Sequence, residues 1–343
     1  MTAILVVAPS WIGDALLSQP LLALLKQRDP DCTIDVLGPG WVLPVYRRMP
    51  EVHDTIESPF GHGALALGER MQLGRQLRQN HYDRAYVLPN SFKSALVPLF
   101  ARIPSRIGFI GEVRYGLLSD ARSLDERALP LMVERFASLA WPRGERIEGT
   151  LTQPRLRVGD AERNAVMAQL QLARPARLAC LCPGAEYGPA KRWPAEYFGE
   201  LAAKLVAEGY AVWVVGSKKE AEIGETIRER SGGTALNLCG RTTLDQVVVL
   251  LSAADAVVTN DSGLMHVSAA LDRPMVALYG SSSPAFTPPL STRASIVKID
   301  IACSPCFERI CPLGHFDCMM KLMPDRVLGE VQRMAFVHDP STT

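Results

Sequence analysis

Apolar and polar positions along this chain come in blocks. Residues 3–8 (AILVVA) form a short continuous apolar run, 9–14 (PSWIGD) a turn, and 15–27 (ALLSQPLLALLKQ) an apolar face at helical spacing. Residues 33–37 (TIDVL) form the next apolar run, closed by Gly38-Pro39-Gly40. Strands that are apolar throughout, without alternation, are buried on both faces. This β–turn–α–β opening therefore predicts a parallel sheet with right-handed crossovers. Pro20 predicts a kink or a late start in the first helix. A helix at 71–80, a strand at 84–88 and a helix at 95–101 follow. Residues 141–158 lose clean periodicity and carry Pro, Gly and charge, which places the inter-domain connection there or just after. A helix at 160–172 and a second series then run as strand 177–181, helix 194–208, strand 211–215, helix 221–230, strand 235–238 and helix 244–254. Strand 256–258, a helix after Gly263, strand 274–279 and a last helix at 324–334 complete it. The expected architecture is α/β with two parallel-sheet domains, 1–158 and 159–343, whose strand-end loops face a cleft. The residues after Phe336 are expected to fray.

The organising stretch is 257–271, VVTNDSGLMHVSAAL. It reads as a buried strand, a tight turn and a helix starting at the turn. A helix start has unpaired N–H groups and partial positive charge, so it suits a phosphate. Gly263 permits close backbone approach, and Asp261, Ser262 and His266 add a carboxylate, a hydroxyl and an imidazole at the same edge. The competing reading is an ordinary helix cap, with His266 in the core or facing solvent. Asp14 lies beyond the first strand, at the edge where open α/β sheets bind ligands, and serves there as a general base or as a helix cap. A Gly/Pro-rich loop at 183–194 (PGAEYGPAKRWP) carries two adjacent cations, Lys191 and Arg192.

Composition narrows the field. With 343 residues, 48% hydrophobic and 21% charged, the chain is ordinary globular material for two domains. A formal charge of +1 gives no electrostatic case for nucleic acid. No apolar run approaches the ~18 residues of a membrane span, and the first residues read as a strand and lack a basic leader. A cytoplasmic protein with reduced cysteines is expected. Between Arg84 and Arg114, five basic residues (Arg84, Lys93, Arg102, Arg106, Arg114) stand against one acid, Glu112. That bias is either a solvated surface or a site for an anionic partner. Cys303, Cys306, Cys311 and Cys318 are spaced C-x2-C-x4-C-x6-C, with His315 inside. Such a cluster invites a structural zinc reading; the spacing lacks two clean knuckles, and reduced thiols in a loop are the expected state, with no metal and no cofactor.

Gly13-Asp14, PGAEYGPAKRWP and NDSGLMH (260–266), in this order and spacing, resemble the ADP-heptose:lipopolysaccharide heptosyltransferases of glycosyltransferase family nine. The resemblance extends to SPCFERICPLGHFDCMMKL at 304–322. The 183–194 loop is more similar to the branch that adds the second heptose than to the first. The resemblance implies a GT-B fold of two Rossmann-like domains, acceptor-binding at 1–158 and donor-binding at 159–343. It implies inverting, metal-independent transfer of heptose from ADP-heptose to the first heptose of the lipid-anchored core, heptosyl-Kdo2-lipid A. It further implies Asp14 as base, with Lys191, Asp261, Ser262, Gly263 and His266 as the donor site. The chemistry agrees. A departing diphosphate needs fixed cations and N–H groups, which Lys191, Ser262 and Gly263 supply. Asp261 suits sugar hydroxyls. An anionic acceptor gives the 84–114 bias a partner, with Lys93, Arg106 and Arg114 as candidate contacts. The enzyme would act peripherally at the cytoplasmic face of the inner membrane. The alternatives are a heptosyltransferase of the first or third type and a GT-B nucleotide-sugar epimerase.

Overall fold

In the computed structural model, residues 1–61, 63–145 and 149–337 are described. The expected fraying falls on 338–343 and part of the expected connection on 146–148, both outside the described residues. Contacts divide the chain into two compact units, Met1–Leu156 and Arg157–Thr343. The first holds β1 (Ala3–Val7), β2 (Thr33–Gly38), β3 (Asp54–Glu57), β4 (Arg84–Val87), β5 (Ser105–Phe109) and β6 (Asp120–Arg122). The second holds β7 (Leu178–Cys182), β8 (Ala211–Val214), β9 (Leu236–Asn237), β10 (Ala256–Asn260), β11 (Met275–Tyr279) and β12 (Ala294–Lys298). Every pairing within the two six-stranded sheets is parallel.

The sheet orders are β3-β2-β1-β4-β5-β6 and β12-β11-β10-β7-β8-β9. Each is a doubly wound arrangement of the Rossmann-like kind. The order reverses between β1 and β4 in one unit and between β7 and β10 in the other. At each reversal the flanking helices leave to opposite faces, and a crevice opens beyond the strand ends.

The central strands are those the apolar runs predict: β7, β10 and β11 are buried throughout. The strands that patterning does not reveal include the sheet-edge elements β3, β6 and β12, which are largely half-exposed, and β3 and β6 are also short of apolar residues. The first helix is two, Ile12–Leu17 and Gln19–Arg28. Pro20 stands in the first turn of the second, where its missing N–H costs nothing. At the break, Ser18 Oγ donates to Ala15 O (2.7 Å) and shares a hydrogen bond with Tyr46 Oη (2.8 Å).

Each unit has its own core. Leu5, Val7, Ala85, Val87 and Val97 pack in the first, and Leu181, Trp193, Phe198, Val258 and Leu278 in the second. Trp193 is buried edge-on to Phe198 at 4.8 Å, and its Nε1 donates to Leu322 O (2.7 Å). That anchor fixes the end of the 183–194 loop.

Candidate active site

The two loops beyond the β7/β10 reversal, 183–194 and 261–263, are bound together. Asn260, fully buried at the end of β10, donates through Nδ2 to Pro183 O (2.7 Å) and accepts from Trp193 N through Oδ1 (3.0 Å). One amide thus clamps both ends of the long loop. Near its end the loop carries Lys191, whose ammonium lies 2.5 Å from Asp261 Oδ2 and 4.9 Å from the centre of the Tyr187 ring. Ser282, after β11, donates to the same Asp261 oxygen. Asp261 is 5% exposed. A buried ion pair adds little net stability, because desolvation offsets most of the attraction. Its position at the crevice argues for a chemical use.

The helix Gly263–Ala270 starts beside this pair. Ser262 stands at its cap position with extended backbone and makes no side-chain bond to the helix N–H groups. The cap reading therefore holds for the position of Ser262 and not for its hydroxyl. His266 is 6% exposed, and burial holds its imidazole down at about 4, against a smaller upward pull from Asp261; Lys191 adds to the lowering. The ring is therefore neutral at pH 7. Lys191, Asp261, Ser262, Gly263 and His266 converge on one edge.

Around them, Glu186 pairs with Lys219 at the surface (2.5 Å). Glu220 is buried and closes a capping box with Ser217, and Thr243 caps the helix Leu244–Ser252. Ser282, Tyr187 and the clamping role of Asn260 are not evident from the sequence. Ser282 sits in a Gly-Ser-Ser-Ser run after β11 that marks a strand-end loop but cannot name which hydroxyl turns inward.

In the first unit, Asp14 follows β1 and Lys93 follows β4, the two strands that flank the reversal. Asp14 lies in the first turn of Ile12–Leu17, whose cap position is Trp11, so it is not the cap. It is close enough to the buried Tyr46 hydroxyl to act on it electrostatically. Lys93 is half-buried in the short helical turn Phe92–Ala95.

Two expected anion contacts have other surroundings. Arg114 is 1% exposed. Its guanidinium donates to Phe109 O (3.0 Å), Pro89 O (2.6 Å) and Ser94 Oγ (3.1 Å), and burial lowers it to about 10. Arg106 donates to Leu117 O (2.6 Å) and Ile103 O (2.5 Å). Both guanidiniums tie loops at the ends of β4 and β5, because backbone carbonyls left by irregular loops take the donors first.

Residues 70–317 match the model of glycosyltransferase family 9 (heptosyltransferase). Lipopolysaccharide heptosyltransferase 2 of Salmonella typhimurium is 48% identical over 340 residues, 96% of this chain and 98% of that protein. Lipooligosaccharide heptosyltransferase 2 of Haemophilus influenzae is 45% identical over 86% of this chain and 88% of its own. The solved E. coli ADP-heptose lps heptosyltransferase II superposes with a TM-score of 0.88 at 46% identity, covering 98% of this chain and 99% of that one.

Proposed function

The chain belongs to glycosyltransferase family 9, and from that premise we propose that it transfers L-glycero-D-manno-heptose from ADP-heptose to the first heptose of the lipopolysaccharide inner core. The observation that carries the reading is the Lys191–Asp261 pair beside the uncapped start of Gly263–Ala270, at the β7/β10 reversal. It supports a diphosphate site in 159–343, with the acceptor read by 1–158.

The transfer inverts the anomeric centre. The acceptor oxygen bonds to the anomeric carbon as the bond to ADP breaks, and Asp14 takes the hydroxyl proton. Charge grows on the departing diphosphate. Lys191 and the N–H groups at Ser262 and Gly263 meet it in place of an obligatory metal, and the helix dipole adds to them. Asp261 orients Lys191 and receives heptose hydroxyls. His266, neutral, offers a hydrogen bond to ribose or phosphate. Lys93 meets the anionic acceptor, while Arg106 and Arg114 hold the loops around it. No described helix is long and apolar enough to cross a membrane. The lipid-anchored acceptor brings the enzyme to the cytoplasmic face of the inner membrane as a peripheral protein.

The test is ADP release from ADP-heptose, with and without heptosyl-Kdo2-lipid A, for the wild type and Asp14→Ala. Release should depend on acceptor, and the variant should lose about a hundredfold or more in kcat with ADP affinity kept. Full activity in the variant removes Asp14 as base. Release only with a different core acceptor reassigns the branch, and donor turnover without any acceptor favours an epimerase.

A further inference from the structure

Among the described residues of the first unit, the large hydrophobic side chains left exposed gather at one edge of the sheet. Met1 apart, each lies between the C-terminal end of a strand and the first turn of the next element. Trp11 follows β1, Trp41 follows β2, Phe92 follows β4 and Tyr115 follows β5. Single exposed apolar side chains are ordinary on any surface. A set confined to the edge where open α/β sheets bind ligands points to a ligand there.

Trp41 is 50% exposed, yet its ring is held. Its Nε1 donates to Ser10 O (2.9 Å), a carbonyl of the loop that leads into Ile12–Leu17 and so to Asp14. A Cβ at Gly38 would stand 2.9 Å from Ala8 Cβ, so the exits of β1 and β2 pack directly together. On the other side of Trp41, Val42 is buried and the helix Leu43–Tyr46 begins. Tyr46 Oη shares a hydrogen bond with Ser18 Oγ (2.8 Å), just beyond Leu17. Trp41 is thus tied to both ends of the segment that carries Asp14. Past the β1/β4 reversal, Phe92 N donates to Glu112 Oε2 (2.8 Å) and Glu112 N to Asn90 O (3.1 Å), which fixes the turn that carries Lys93.

We propose that the exposed face of Trp41 is a stacking platform for a pyranose ring of the acceptor, and that it sets the attacking hydroxyl against Asp14. A pyranose has a face of C–H groups and a rim of hydroxyls. An indole matches the face, while carboxylates and cations match the rim and its anionic substituents. The one polar atom of the Trp41 ring is committed to Ser10, so the ring offers outward only apolar surface. An indole at a membrane surface turns its N–H toward headgroups and water; this N–H is spent inward, which favours a sugar over lipid as the occupant. A ring pinned before the ligand arrives also loses little freedom on binding, so the contact is preorganised.

The identity of the sugar rests on the acceptor reading above. The experiment uses the full chain with two probes, heptosyl-Kdo2-lipid A and the same acceptor with its acyl chains removed. Trp41→Ala should raise KM for both about tenfold at unchanged ADP affinity, and Trp41→Phe, which keeps a ring, should stay within about threefold of the wild type. Binding is read separately and without substitution. Of the five tryptophans, Trp141, Trp193 and Trp213 are buried, so a saturable change in emission on adding the deacylated acceptor reports Trp11 and Trp41. Trp41→Phe should remove most of that change and Trp11→Phe should keep it. An unchanged KM in Trp41→Ala, or an emission change that survives in Trp41→Phe, overturns the platform. Equal losses in the Ala and Phe variants assign the effect to the Ser10 hydrogen bond and overturn it too, and a loss confined to the acylated acceptor gives the ring to lipid. A wild type that shows the Trp41-dependent emission change but transfers no heptose keeps the platform and overturns the transfer reading.

Discussion

His266 shows how far a single residue can be read from sequence. The motif places it one turn into a helix beside a carboxylate, which suits either an exposed cation or a buried neutral ring. Burial decides, because desolvation disfavours the charged form more than Asp261 favours it. The consequence is a pH dependence of known sign. The unfolded chain's imidazole takes its proton near pH 6.5 and the folded one only near 4, so between those values the unfolded state binds more protons. Stability falls as pH drops through that window and is insensitive to this group above it. At pH 5 the loss is about 2 kcal/mol. Urea unfolding at pH 7.5 and pH 5 should show this difference in the wild type, and His266→Leu should flatten it. A variant with the same pH slope would assign the slope to other groups and place a charged imidazole in the folded site.

At the level of elements, the central strands were legible because they are apolar runs flanked by Gly and Pro. The edge strands were not, because β3 and β6 bury too little apolar surface to leave a pattern. The basic bias between Arg84 and Arg114 illustrates a different limit: charge is visible in a sequence, but its employment is not. Arg114 is a tie between the end of β5 and the loop after β4, whereas Lys93 stands at the reversal between β1 and β4. The two substitutions should therefore separate. Arg114→Ala leaves buried carbonyls without donors and should cost about 2–4 kcal/mol, seen as a lower thermal midpoint. Lys93→Glu should leave the midpoint within a degree or two and raise the acceptor KM several-fold at unchanged ADP affinity. An acceptor KM that ignores Lys93→Glu would take the acceptor's anionic groups away from this strand end.

At the scale of the whole molecule, the fold is GT-B, with a doubly wound six-stranded sheet occurring twice in one chain. The three motifs that carried the resemblance fall at equivalent places in the two copies: Gly13-Asp14 at one reversal, PGAEYGPAKRWP and NDSGLMH at the other. That is why the candidate site could be read from sequence although its wiring, Asn260 to Pro183 and Ser282 to Asp261, could not: a strand-end position follows from periodicity, while a side chain's partner depends on contacts between segments up to 77 residues apart. Each unit buries a core around its own sheet. The groups proposed to hold the donor, Lys191, Asp261, Gly263 and His266, all belong to the second unit, and the proposed base, Asp14, to the first. A fragment of residues 157–343 should therefore unfold cooperatively and bind ADP within a few-fold of the full chain, measured by calorimetry, yet release no ADP from ADP-heptose when acceptor is added. The complementary fragment, 1–156, should fold and ignore ADP. A folded second fragment blind to ADP would mean that the nucleotide is held by groups of both units, and the assignment of donor and acceptor to separate domains would fail.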